Sequence, residues 1–171
     1  MKAIDAANFF VDVCAKSDTH DYMTNLRLQK LLFFAQGWSL VIRGVPLFDD
    51  PIEAWQYGPV VPTVYRELSV NWKNPIRHTT KGYTDSCVSD ENAQFLIDVL
   101  VHHSACATYG LVELSHTLPC WRNHRSKNEV IPLDEILEDF QTLTPQLVTM
   151  AQRVVRLPIA HSIPENENFD E

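Results

Sequence analysis

The sequence predicts a mainly α protein: a compact single-domain helical bundle around a central buried helix, with a short extended segment or small β-hairpin. Three observations carry this prediction. At least five segments repeat apolar residues every three to four positions, the period of a helix face. One of them, within "MTNLRLQKLLFFAQGWSLVIRGVP" (residues 23–46), is apolar around most of its circumference, and a helix of that kind is buried among other elements. Only "IEAWQY" (52–57) alternates with the two-residue period of a strand.

The first helix is expected over residues 3–15. Asp5, Asn8, Asp12 and Lys16 form one polar stripe on it, and Ile4, Phe9, Phe10, Val11 and Val13 cover the rest. "KSDTHDY" (16–22) is a polar linker. Thr24 is placed to cap the second helix, and Gly44 followed by Pro46 to stop it. Asn25, Gln29, Gln36, Ser39 and Arg43 gather on a narrow polar strip, which puts Gln36 at the surface. Arg27 and Lys30 project from inside the apolar sector. Burying either charge alone is costly, so both are expected to snorkel to water or to meet carboxylates.

Asp49, Asp50 and Pro51 mark a turn before the extended segment, and Gly58-Pro59 breaks that segment. Val61, Val64, Tyr65 and Leu68 then follow helical spacing, with Pro62 tolerated in the first turn. Residues 70–88 carry turn chemistry at Asn74-Pro75 and Lys81-Gly82 and predict a loop with at most a loose hairpin. Ser89, Asp90 and Glu91 open a helix bearing Phe95, Leu96, Val99 and Leu100; the acids suit the positive end of its dipole. His102-His103 lies at its far end, where a histidine favourably meets the dipole. Thr108 caps the next helix, which carries Leu111, Leu114, Ser115 and Leu118 and is stopped by Pro119. Pro132 opens another with Leu133, Ile136, Leu137 and Phe140, its acids Asp134, Glu135, Glu138 and Asp139 forming a solvated face. Thr144-Pro145 starts a last helix through Leu147, Val148, Ala151, Val154 and Val155. The domain is thereby bounded at residues 1–157, and residues 158–171 form an acidic, disordered tail.

Composition narrows the function. The chain of 171 residues suits one domain, and its 45% hydrophobic and 21% charged residues suit a folded soluble protein. A net charge of -8, without aromatic residues interleaved among basic ones, speaks against a nucleic-acid partner. The N-terminus lacks the marks of a signal peptide, and Gln36 and Ser39 interrupt the longest apolar stretch, so no membrane partner is expected. Four scattered cysteines fit a reduced, cytoplasmic setting. His116, Cys120 and His124 are spaced by four, but Pro119 breaks any helix that would align them; no metal site and no cofactor are expected. The five glycines form no phosphate loop, and no nucleophile motif is present, so no catalytic residue is assigned.

Three segments in order go further. "NLRLQKLLFFAQGWSL", "EAWQYGPVVPTVYREL" and "LVELSHTLPCWRNHR" resemble, in turn, the signature helix, the aromatic-strand/Gly-Pro/helix block and the Leu-Ser helix followed by Trp-Arg of the Panacea domain family, the SocA-like and GepA-like phage-associated proteins. With the flanking helices the resemblance covers residues 1 to about 155. It departs from the commonest third block at Cys120, between Pro119 and Trp121. The chain also has no room for the fused helix-turn-helix domain of some members, so operator binding is not expected.

The resemblance implies a non-enzymatic antitoxin that neutralises a cognate toxin, encoded by a neighbouring gene, through direct protein contact. Some members hand a toxin to a protease, which makes a protease adaptor the alternative; a small hydrolase built on His116 is a more distant one. Carried over residue by residue, the matching positions give a toxin-binding set of Lys30, Trp55, Tyr57, Gly58, Pro59 and Tyr65, to which Arg27 is added as a neighbouring candidate, and a structural set of Leu28, Gln29, Leu31, His116 and Trp121. Packing explains Gln29 and Lys30 least. They either tie the central helix internally or face a partner groove, and an internal tie is favoured.

Overall fold

Helix α2 (Asn25–Arg43) is the element the rest of the chain covers. Every residue from Asn25 to Leu40 except Leu26 is buried, polar side chains included. Thr24 caps it, its hydroxyl oxygen accepting the Arg27 N–H at 3.2 Å. Gly44 ends it in the left-handed conformation, φ 69°, which a residue without Cβ adopts freely. The computed structural model describes residues 1–17, 23–71 and 74–143. The predicted last helix and the 158–171 tail lie outside the described residues, as do positions 18–22 of the linker.

Around α2 pack α1 (Ala3–Lys16), the hairpin strand β2 (Gly58–Val60), α3 (Pro62–Leu68), α4 (Asp90–His102), α5 (Thr108–Thr117) and α7 (Leu133–Thr142). The short α6 (Pro119–His124) sits against α5, α7 and strand β1 (Glu53–Trp55). The architecture is mainly α with one two-stranded antiparallel hairpin. Leu28 and Leu31 have no exposed surface, as a helix buried on most sides requires. Where α7 crosses α2, an added Cβ on Gly37 would overlap the Phe140 ring. The missing side chain lets Phe140 stand edge-on to Phe33 (5.4 Å) and Trp38 (4.6 Å). Among the described residues no helix is long and apolar enough to cross a membrane.

Several local expectations are corrected. Gly58-Pro59 does not break the extended segment but forms β2, paired with β1 as Glu53↔Val60, Ala54↔Pro59 and Trp55↔Gly58. Gly58 makes the reversal after Gln56 and Tyr57 possible at φ 94°. Pro59 is tolerated because the Ala54↔Pro59 pair points its backbone groups outward, where a missing N–H removes no bond between the two strands. Thr108 is the first helical residue rather than the cap; Ala107 holds that place without a side-chain bond. Pro119 opens α6, a helix the sequence pattern does not show, because a first-turn proline lacks only an N–H that has no intrahelical partner anyway. Described residues of the 70–88 loop form no hairpin. They are pinned by Asn8, whose amide bonds Thr80 twice, and by Ile76 N–H on the Met23 carbonyl.

Polar residues were the hardest to place from spacing. Gln36 is fully buried, accepting from Leu47 and Phe48 N–H and donating to the Phe48 carbonyl. It staples the chain reversal after α2 to the helix. Asp139 is not on a solvated face; it is buried and accepts the Cys120 N–H at 2.7 Å. His103 is not a cation at a helix end. Burial, and after it the nearby His102 and Arg27, pushes its pKa down to about 3, and its neutral ring accepts the Trp38 indole N–H at 3.1 Å.

Candidate functional site

The polar residues of α2 converge on the hairpin and its surroundings. Lys30 lies inside the protein with no exposed surface, its Nζ donating to the Pro59 carbonyl at 2.6 Å. The residue before it, Gln29, accepts the Val61 N–H at 2.9 Å and donates to Asn25 Oδ1, one helical turn earlier, at 3.0 Å; Asn25 donates in turn to the Tyr65 carbonyl at 3.2 Å. The three side chains thus hold β2 and both ends of the turn into α3. Arg27 reaches the other way, to the carbonyls of Cys106 (2.8 Å) and His103 (3.3 Å) beyond the C-terminal end of α4. The helix dipole and free carbonyls make that end a good cation site.

Arg27 and Lys30 therefore neither snorkel nor meet carboxylates: carbonyl oxygens receive them. The internal tie expected for Gln29 and Lys30 is what the structure contains. Burial pushes the Lys30 ammonium down from 10.5 to about 7. Gly58 completes this contact. A Cβ there would stand 2.6 Å from both Lys30 Nζ and Ser115 Oγ, so the hairpin seats on α2 and α5 only with glycine at this position.

The third sequence block supports the hairpin from its opposite side. Trp121 donates its indole N–H to the Trp55 carbonyl at 2.9 Å. His116 stacks on Trp121 at 3.8 Å, nearly parallel, and the Arg125 guanidinium lies 5.2 Å from the same indole. Burial, then the charges of Lys30 and Arg125, hold the His116 pKa below its ordinary value. Its buried Nε2 has no hydrogen-bond partner among the described residues. The segment after α6 closes the outer edge of β1: Ala54 N–H donates to the Glu129 carbonyl, and Ile131 N–H to Ile52. His124 pins that segment between Glu129 (3.4 Å) and Glu135 (3.0 Å).

Sequence reasoning placed seven residues in a recognition set, and the structure divides them. Arg27, Lys30, Gly58 and Pro59 are buried: Lys30 holds the hairpin at Pro59 from behind, and Arg27 is spent on the carbonyls past α4. Trp55 is half-buried, its ring edge-on to Tyr65 at 5.0 Å. Tyr57 and Tyr65 are 61% and 38% exposed, and these fractions single them out as the set's outward aromatics. They line a cleft of about 790 Å³ that also takes in Thr24 and Leu26 of α2, Val60 of β2 and Tyr109 of α5. Tyr109, 72% exposed, was not anticipated. The signal available was an aromatic residue off the apolar stripe of its own helix. Leu26 was hidden in a run of apolar neighbours.

Among the described residues no group of three or more His, Cys, Asp or Glu is placed to hold a metal. His116, Cys120 and His124 serve different partners: an indole, the core and two carboxylates. The Cys120 thiol is pushed up by burial and by Asp139. None of the four cysteines forms a disulfide.

Fold and site together define a class: a small helical domain whose buried polar groups present a hairpin and a tyrosine-rimmed cleft, uncharged among its described lining residues. The family described as "Antitoxin SocA-like, Panacea domain" matches residues 28–122, more than half of the chain, and the chain belongs to that family. Over 73 residues, 41% of the chain, it is 47% identical to the Antitoxin SocA of Caulobacter vibrioides (strain NA1000 / CB15N). That match spans 38% of the relative's length. No solved structure matches the chain.

Proposed function

We propose that this protein is the antitoxin of a toxin–antitoxin pair and that it neutralises its toxin in the cytoplasm without catalysis, by direct protein contact through the hairpin and adjoining cleft. The observation that carries the reading is the family match over residues 28–122, the span that contains the hairpin and most of the cleft's lining. The geometry supports it in two ways. Lys30, Gln29 and Trp121 are spent on holding the hairpin and Asn25 on holding the first turn of α3 beside it, which makes a rigid platform. Tyr57, Tyr65 and Tyr109 are left outward, and interface energy concentrates in such aromatic anchors.

A toxin masked this way needs a contact on the order of 1,600 Å² in total, of which the cleft supplies the centre. The net charge of -8 favours a basic toxin and speeds its encounter. The test is co-expression with the product of the adjacent gene. Growth inhibition by that product alone, relieved by this protein, together with a complex that survives gel filtration, is the expected result. A toxic neighbour that is neither relieved nor bound refutes the proposal.

A further inference from the structure

We propose that the cleft seats an amphipathic helix of the toxin, gripped by side chains alone along an uncharged apolar or aromatic stripe. This rests on the antitoxin reading above and names the element the toxin uses.

The backbone accounts for the first half of the inference. A hairpin on a protein surface invites an incoming strand, which pairs with an open edge. Here both edges are consumed. On β1, the outward Ala54 N–H and Ile52 carbonyl are bonded to Glu129 and Ile131, and Glu53 is bridged to Val130. On β2, Pro59 has no N–H and its carbonyl belongs to Lys30, while the following Val61 N–H belongs to Gln29. An extended segment of the toxin laid in the cleft would find no ladder to join, and its buried backbone groups would go unpaired at a cost. A helix satisfies its backbone internally and brings only side chains.

The lining accounts for the second half. Among the described residues no Asp, Glu, Lys, Arg or His borders the cleft, although the chain as a whole carries 22 acidic and 14 basic residues. A charged side chain entering it would lose water and meet no counter-charge. The walls include Tyr57 of the hairpin turn, Tyr65 of α3 and Tyr109 of α5, and Leu26 of α2 also lines the cleft. Three separate elements thus bound a trough, whose volume of about 790 Å³ exceeds what one inserted side chain fills. Such a trough fits the i, i+3 or i+4, i+7 stripe of a helix, which repeats over ~10 Å.

The experiment uses the full-length protein co-expressed with the product of the adjacent gene. Gln56→Arg and Tyr109→Lys each put a cation at the cleft from an exposed position, and Val70→Lys and Val101→Lys do the same at exposed apolar positions outside it. At least tenfold weaker binding for the first pair, with the second pair unchanged, is expected. A photo-crosslinking residue at position 109 should capture a toxin peptide with apolar residues at helical spacing and no charge on that stripe. Unchanged binding by both cleft variants, or a captured peptide with strand-like alternation or a charged stripe, overturns this inference and leaves the antitoxin reading standing. Capture of a second copy of this chain in place of the toxin overturns it too. Wild-type protein that forms no complex with the toxic neighbour overturns both.

Discussion

Lys30 carries an amine at zero exposure with one carbonyl as its hydrogen-bond acceptor. Its folded pKa of about 7 lies below the ordinary 10.5, so between those values the unfolded chain holds a proton that the folded protein lacks. Stability should therefore rise with pH across about 7 to 10.5, and below 7 this dependence should stop because both states are protonated. Lys30→Met should flatten that rise, as measured by urea denaturation at pH 7 and pH 9 against the wild type. Equal slopes would show that the amine is charged in the fold throughout. Gln36 makes a second case. Its removal leaves Leu47 N–H and both backbone groups of Phe48 without their partner. Gln36→Ala should cost about 2–4 kcal/mol in urea denaturation. Exposed Gln94→Ala should stay within about 0.5 kcal/mol.

At the scale of elements, the hairpin is too short to be stable alone and borrows its order from three neighbours. α2 holds β2, α6 holds the end of β1 through Trp121, and the segment after α6 closes the outer edge of β1. His124 controls that last contact. Its bond to Glu135 raises its pKa most; burial, the next largest effect, opposes this, and the bond to Glu129 adds to the rise. The stabilisation is fully present below the unfolded value of about 6.5 and is lost as pH rises through the higher folded value. Amide exchange at Ala54 and Ile131 should lose protection over that window, beyond the intrinsic pH effect, and His124→Gln should remove the excess. No difference between the two proteins would mean that the carboxylates do not order the segment. The sign is opposite to that of Lys30, so the two groups are separable in one titration.

At the scale of the whole molecule, the buried helix and the exposed tyrosines are two sides of one arrangement. Polar groups that would normally face a partner are turned inward to hold the hairpin, and in the function proposed above recognition falls to aromatic rings. In the co-expression assay, Tyr57→Ala and Tyr65→Ala should each reduce rescue while melting within a few degrees of wild type, since both side chains are exposed. Full rescue by both folded variants would move the contact away from the hairpin.

Much of this was legible in the chain itself. Apolar periodicity placed six of the seven described helices, Thr24, Ser89 and Gly44 marked ends that the structure confirms, and three ordered blocks pointed to the family. These signals are local, set by hydrogen bonds and side-chain spacing within a few residues. Helix α6 escaped because Pro119 reads equally as a stop and as a start. The destinations of Arg27, Lys30, Gln36 and Asp139 escaped for a different reason. A polar residue on a helix flank faces water or a carbonyl according to what packs against it, and those carbonyls come from segments 12 to 79 residues away in the chain for Gln36, Lys30 and Arg27. Spacing decides which side of a helix a residue occupies; only the tertiary structure decides what covers that side.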